Sequence, residues 1–133
     1  MKKNALPDSF KKRKLLFESK TIPEQLIALG QRYMEADRLN EASEFFRKAA
    51  YKEGLEDLKA LAQRKGDSFL YHCITRQSVQ DEAWRQGWKE VGRQAMALQK
   101  YSHAVCAFQK AENKEALKKA EEALKEVLTR DQT

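Results

Sequence analysis

Two histidine and cysteine pairs are the residues of this chain whose types could do chemistry, because imidazole nitrogens and thiolates bind zinc and thiolates act as nucleophiles. His103 and Cys106 are three residues apart, a spacing that places both side chains near one face of a helix. His72 and Cys73 are adjacent, so their side chains diverge on a helix. A metal site needs more ligands than one pair supplies. We therefore interpret the cysteines as packed thiols and the histidines as surface residues, and expect no metal and no cofactor.

Sequence motifs of the common enzyme classes are missing from the chain. It contains no phosphate-binding loop, no dinucleotide-binding glycine pattern and no nucleophile elbow. Its carboxylates alternate with lysines and arginines, as they do on solvated helix faces. The cysteines are not at CxxC spacing, which argues against a zinc knuckle or a disulfide framework. We expect a protein that is not an enzyme.

The elements that must position these residues are predicted to be helices. The chain of 133 residues has only two prolines and five glycines, and it is rich in residues that lose little entropy in a helix. No apolar run approaches the roughly 20 residues that cross a bilayer. The basic start Met1-Lys2-Lys3 is not followed by the apolar core of a signal peptide. We expect an all-α, cytoplasmic protein that does not contact a membrane.

An internal repeat organises these helices: residues 23–50 and 85–112 share one pattern at an offset of 62 residues. Gly30 corresponds to Gly92, and Phe46 corresponds to Phe108. The other matched pairs are Leu26 and Trp88, Leu29 and Val91, Tyr33 and Ala95, Ala42 and Ala104, and Ala49 and Ala111. A glycine costs about 1 kcal/mol relative to alanine in a helix interior. Two glycines in register therefore indicate places where a Cβ would collide with the partner helix.

The repeated pattern resembles the tetratricopeptide repeat, whose 34-residue consensus reads W-x2-L-G-x2-Y in its first helix, followed by small and aromatic residues in the second. Gly54 and Ala116 stand where that consensus has its late proline. The resemblance implies an α-α superhelix, a TPR-like solenoid of about three helical hairpins within a domain over 23–133. The hairpins are predicted at about 23–52, 55–78 and 81–112.

Turn residues predict where several helices begin and end. Asn40 and Ser102 are predicted N-caps of the second helix in each copy. Gly66 and Asp67 are predicted to stop one helix and cap the next in a degenerate middle hairpin. The segment at about 113–129 has one apolar face and matches no repeat position. We predict that it is a capping helix, which covers the hydrophobic edge at the end of a solenoid.

The same resemblance implies a binding function. In tetratricopeptide proteins the first helix of each hairpin lines a concave face that receives a peptide or a helix of a partner protein. By analogy, the partner-binding residues are Ile27, Gln31, Met34 and Glu35 in the first copy and Lys89, Arg93 and Met96 in the second. An ordinary solvated face with packed methionines is the alternative interpretation, and the sequence does not decide between them. We expect a scaffold or adaptor that binds another protein; self-association is left open.

The N-terminal segment, residues 1–22, carries most of the net charge. It holds seven lysines and arginines against Asp8 and Glu18, so +5 of the chain's formal +6 lies there. Its densest cluster is Lys11, Lys12, Arg13 and Lys14, within a segment predicted to be partly flexible or a short helix. Such a run is usually a solubilising tail. The alternative function is association with nucleic acid, through phosphate contacts of this basic segment.

Overall fold

The computed structural model describes residues 6–18 and 20–130, without the side chain of Glu18, and every regular element among these residues is helical. The all-α prediction is confirmed. The elements are α1 (Ser9–Arg13), continued by a π-helical turn (Lys14–Glu18), then α2 (Pro23–Glu35), α3 (Leu39–Lys48), α4 (Lys52–Lys65), α5 (Ser68–Thr75), α6 (Glu82–Ala97), α7 (Tyr101–Lys110) and α8 (Lys114–Arg130). The chain divides into two compact units, Met1–Leu58 and Lys59–Thr133. The lysines at positions 2 and 3 of the basic segment lie outside the described residues.

The internal repeat is three helices long rather than two. At the offset of 62 residues, α3 corresponds to α7 from end to end, and α4 and α8 begin at the corresponding residues Lys52 and Lys114. The expectation that the last helix matches no repeat position is therefore wrong. The correspondence is hard to see in the sequence because the residue types differ. Leu124 of α8 corresponds to Ala62 of α4, and Leu128 corresponds to Gly66 in the turn after α4.

Five of the described helices, α2, α3, α4, α6 and α7, end in one kind of turn. Five residues that follow a helix have a positive φ, namely Asp37 (61°), Ala50 (53°), Gly66 (60°), Gln99 (60°) and Glu112 (57°). After each, the next N–H donates to the carbonyl five residues earlier, as from Arg38 to Tyr33 at 2.9 Å and from Lys100 to Ala95 at 2.8 Å. This is the Schellman arrangement, which satisfies carbonyls at a helix end. Gly66 alone among the five has no Cβ to strain the left-handed conformation.

These turns correct two of the predicted caps and leave a third confirmed. The residue that closes the turn after α2, Arg38, is already the N-cap of α3, and Lys100 serves α7 in the same way. Neither side chain makes a cap hydrogen bond. Asn40 and Ser102 lie inside the helices, so their prediction as N-caps is wrong. Asp67 does cap α5, since its carboxylate accepts a hydrogen bond from the Leu70 N–H at 3.0 Å.

Close packing of a glycine on a phenylalanine ring joins the first two helices of each copy. A Cβ added at Gly30 would lie 2.5 Å from Cε1 of Phe46, and one at Gly92 would lie 2.5 Å from Cε1 of Phe108. Both rings are buried. In the first copy Gly54 approaches the opposite edge of the Phe46 ring, where an added Cβ would lie 2.7 Å from Cδ2. The prediction that Gly30 and Gly92 admit a neighbouring helix is confirmed.

The second copy departs from the first at Ala95, where the first has Tyr33. The Tyr33 ring is buried and stacks on Phe45 with a centroid distance of 5.2 Å. At Ala95 the turn between α4 and α5 comes so close that a Cβ on Gly66 would lie 2.6 Å from the Ala95 Cα. An alanine therefore stands at this position because a backbone turn occupies the space beside it.

Candidate interaction surfaces

The two histidine and cysteine pairs lie on α5 and α7. Within residues 6–18 and 20–130, no group of three or more His, Cys, Asp and Glu side chains could hold a metal ion. Cys73 and Cys106 are half-buried thiols without a disulfide, and His72 is exposed. His103 is not a surface residue, because it is half-buried with its ring centroid 5.0 Å from that of Phe69.

His103 instead holds the start of α5. The backbone N–H of Ser68, the first residue of α5, donates to His103 Nδ1 at 3.0 Å, and Ser68 Oγ lies 2.8 Å from the same nitrogen. An amide N–H can only donate, so in this geometry Nδ1 is unprotonated and the ring proton sits on Nε2. The sequence could not indicate this role because Ser68 and His103 are 35 residues apart in the chain.

We predict that His103→Ala lowers the free energy of unfolding by about 1–2 kcal/mol, because the buried Ser68 N–H then lacks an acceptor. Urea unfolding followed by tryptophan fluorescence measures the change, since both tryptophans lie in α6 of the same compact unit. Ser102→Ala is the control, because Ser102 is the exposed neighbour on α7. Equal midpoints for the two variants would show that His103 contributes no cap.

The partner-binding residues predicted in the first copy share one stripe of α2. Gln31 and Glu35 are exposed, whereas Ile27 and Met34 are half-buried. The stripe therefore presents two polar side chains together with the edges of two apolar ones. This pattern is compatible with both interpretations of the sequence, a binding face and a solvated face with packed apolar residues.

The corresponding residues of the second copy lie on α6 and differ in character. Lys89 and Arg93 are exposed, and Arg93 forms an ion pair with Glu90 at 2.9 Å within the helix. Met96 is half-buried and packs against a buried cluster. The members of that cluster are Ala95, Ala104, Phe108 and Ala120. At Met96 the contacts are those of a packed methionine.

Lys89 also borders a polar cleft of about 470 Å³ beside the turn between α7 and α8. On α6 the cleft carries Glu82, Arg85 and Gln86 as well. A hydrogen bond from Gln86 and another from Arg85 lower the pKa of the Glu82 carboxyl below its ordinary value. The carboxylate is thus already paired within its own helix, and the cleft has no buried polar group aimed into it.

The basic cluster lies on a helix anchored to the first repeat copy. Lys12 Nζ is 3.4 Å from a carboxylate oxygen of Glu41 and 3.5 Å from one of Glu44, both on α3. Leu16 in the π-helical turn is 4% exposed, and the Tyr33 hydroxyl donates to the Pro7 carbonyl at 3.4 Å. Burial, helped by the negative charge of Glu41, raises the pKa of Tyr33. Of the predicted cluster, Lys11, Arg13 and Lys14 remain exposed.

One candidate surface that the sequence reasoning missed is the outer face of α8. Leu128 is 55% exposed, and Leu124 is half-buried. Together with Val105 of α7 they line a groove of about 430 Å³. Glu121, Lys125 and Thr129 complete its lining. The groove joins an apolar floor to one negative and one positive side chain.

The face of α4 that corresponds to this groove is covered. Ala62 and Gly66, the counterparts of Leu124 and Leu128, are buried. Gln63, the counterpart of Lys125, donates to the Tyr71 hydroxyl of α5 and to the Gly87 carbonyl of α6, each at 3.4 Å. Helices α5 and α6 thus pack on this face of α4, and among the described residues nothing takes their place on α8. Extending the offset of 62 residues to the third helix of each copy could have revealed from the sequence that α4 and α8 differ on this face.

Two further findings concern membrane crossing and similarity to known proteins. Within residues 6–18 and 20–130 no helix combines the length and the apolar character that a membrane crossing requires. Comparison of the chain with family models, with curated proteins and with solved structures gave no match.

Proposed function

We propose that this chain is a non-catalytic protein–protein interaction module, a scaffold or adaptor of the TPR-like superhelical type, that binds a helix of a partner protein. The observation that carries the proposal is the open apolar face of α8. A helical repeat cannot bury its hydrophobic face alone and covers it with its neighbour. Where the neighbour is another protein, the same physics makes a binding site.

The residues of the α8 groove define what it would bind. Leu124 and Leu128 are one turn apart on the helix and half-buried or exposed, so they can contact apolar side chains spaced i, i+3 or i+4, and i+7 on a partner helix. Glu121 and Lys125 flank them, which favours a partner with charges of both signs beside its apolar stripe. Leu128 is 55% exposed, so it offers a partner more apolar surface than the half-buried Leu124.

Bulky residues on α8 also determine how closely a partner can pack. Helix α6 reaches α4 through Gly66, where an added Cβ would lie within 3 Å of Ala95. Leu128 replaces that glycine in the second copy, so a helix on α8 must pack through interdigitated side chains at a larger axial distance. The groove therefore suits a partner helix with large apolar residues rather than a further copy of the same repeat.

The stripes predicted from the sequence provide two further candidate surfaces for the same function, one in each compact unit. They are Ile27, Gln31, Met34 and Glu35 on α2, and Lys89, Arg93 and Met96 on α6. Their apolar residues are all half-buried, whereas Leu128 in the α8 groove is exposed. A peptide recognised there would be held mainly by polar contacts.

Affinity capture from a native lysate with four purified proteins tests the proposal and separates the α8 groove from the stripes. We expect the wild type to retain a protein partner and Leu128→Asp to retain at least tenfold less, because a buried charge would face the partner's apolar stripe. Ser102→Asp introduces the same charge at an exposed position of α7 and should retain the partner. Circular dichroism verifies the fold of each variant.

The fourth protein replaces Ile27, Met34, Arg93 and Met96 by alanine. If this protein alone loses the partner, binding occurs at the stripes and the α8 assignment is wrong. If all four proteins retain the same partners or none, neither the groove nor the stripes are a specific binding site and the proposed function fails.

A further inference from the structure

Two phenylalanines of the N-terminal helical segment point their rings into solvent. Phe10 is 71% and Phe17 is 74% exposed. They are seven residues apart, Phe10 in α1 and Phe17 in the π-helical turn, and both lie at exposed positions of one ten-residue segment. Lys14 lies between them, with its ammonium 5.0 Å from the centre of the Phe10 ring. Exposed cations therefore lie between two exposed rings on the outer surface of this segment.

This exposed surface is held in place by the opposite side of the segment. Leu16 is buried, and Lys12 forms its two ion pairs with α3. The Asp8 carboxylate accepts the Lys11 N–H at 2.8 Å and caps the start of α1. The rings are thus presented by an anchored helix whose apolar inner side is already used, and a ligand would meet them without first ordering a loose tail.

We infer that Phe10, Arg13, Lys14 and Phe17 form a binding site for single-stranded nucleic acid. The rings would stack on unpaired bases, and the cations would contact the phosphates between them, which is how proteins bind single strands without reading a sequence. A duplex keeps its bases stacked inside and offers the rings no partner. This site is independent of the α8 groove.

The observations favour a nucleic acid over a membrane surface. Helices that lie in a bilayer interface bury a continuous apolar face among the lipids. The segment Ser9–Glu18 has ten residues, and its leucines are directed inward: Leu16 is buried and Leu15 lines a cleft beside α2. Two rings surrounded by three exposed cations match alternating bases and phosphates better than they match acyl chains.

Fluorescence anisotropy with the full chain tests the inference, using a labelled 12-nucleotide oligouridylate, a 12-base-pair RNA duplex, and anionic vesicles in separate titrations. We expect the single strand to bind at least tenfold more tightly than the duplex. Replacing both Phe10 and Phe17 by alanine should weaken single-strand binding by about tenfold or more for each ring. With Arg13 and Lys14 contacting phosphates, log Kd should rise with log salt with a slope of about 1.4, or about 0.7 for each cation.

Phe69→Ala is the matched control, because Phe69 on α5 is also 71% exposed but has no neighbouring basic cluster in its helix. It should bind the oligonucleotide as the wild type does, and so should Leu128→Asp. Unchanged binding by the Phe10 and Phe17 double variant would overturn the inference. So would equal affinity for the duplex, or binding to the vesicles without binding to the single strand.

Discussion

Gly66→Ala is expected to lower the free energy of unfolding by about 3 kcal/mol. Two costs add: a non-glycine residue in the left-handed region costs about 1–2 kcal/mol, and overpacking typically costs 1–3 kcal/mol. The second applies because the new Cβ would lie 2.6 Å from the Cα and 2.7 Å from the N of Ala95. Backbone atoms cannot rotate away as a side chain can, so the turn or α6 must move. Urea unfolding followed by tryptophan fluorescence measures the loss.

Gln99→Gly provides the matched control with the opposite sign. Gln99 has the same φ, 60°, after α6, but its side chain is exposed. Glycine there relieves the left-handed strain and should raise the free energy of unfolding by about 0.5–1 kcal/mol. If Gly66→Ala changed stability by less than about 0.5 kcal/mol, the close approach of the turn to α6 would be disproved.

The second large effect is expected from Gly92→Ala, which should destabilise the protein by about 2 kcal/mol although alanine is the better helix former. An added Cβ would lie 2.5 Å from Cε1 of the buried Phe108 ring, and overpacking of this kind outweighs the propensity gain of about 1 kcal/mol. Gly30→Ala should behave alike, because the Phe46 ring cannot retreat with Gly54 against its other edge. Circular dichroism measures the loss of helix in either variant, and tryptophan fluorescence reports the second copy, which holds both tryptophans.

A double-mutant cycle with Phe108→Leu checks the cause of this effect. The smaller side chain makes room, so Gly92→Ala should cost at least 1 kcal/mol less in the Phe108→Leu background than in the wild type. Gln31→Ala, at the exposed position beside Gly30, should leave stability unchanged within about 0.5 kcal/mol. A stabilising effect of Gly92→Ala would mean that the two helices are not in close contact.

The parts of the fold that the sequence predicted correctly depend on local patterns. The spacing of Gly30 with Phe46 and of Gly92 with Phe108 reports a contact between neighbouring helices, because small and large residues must alternate where helices pack closely. Gly66 and Asp67 were predictable because glycine is favoured in the left-handed turn after a helix and aspartate is favoured at an N-cap. The hairpin ranges drawn from this spacing contain α2 with α3 and α6 with α7, while α4 begins at Lys52 rather than at 55.

The parts that could not be predicted depend on residues distant in the chain or on the absence of a signal. His103 caps α5, although it is distant from that helix in the sequence. Arg38 and Lys100 are N-caps because each closes the Schellman turn of one helix and directly precedes the next helix. Their side chains make no cap hydrogen bond, so their residue types give no signal in the sequence. The groove on α8 was not predicted because Leu124 and Leu128 resemble the core face of a capping helix. Their counterparts in the first copy, however, are positions that other helices cover.

The most direct test of the central claim, that the α8 groove binds a helix of another protein, is site-specific photo-crosslinking. A photoreactive phenylalanine analogue is placed at position 128 in the groove. As a control it is placed at position 119, an exposed position nine residues earlier and therefore on the opposite side of α8. The account predicts one crosslinked partner protein from position 128 and none from position 119, with the crosslinked peptide of the partner being an amphipathic helix. Equal crosslinking from both positions, or none from position 128 while the partner is still captured, would contradict it.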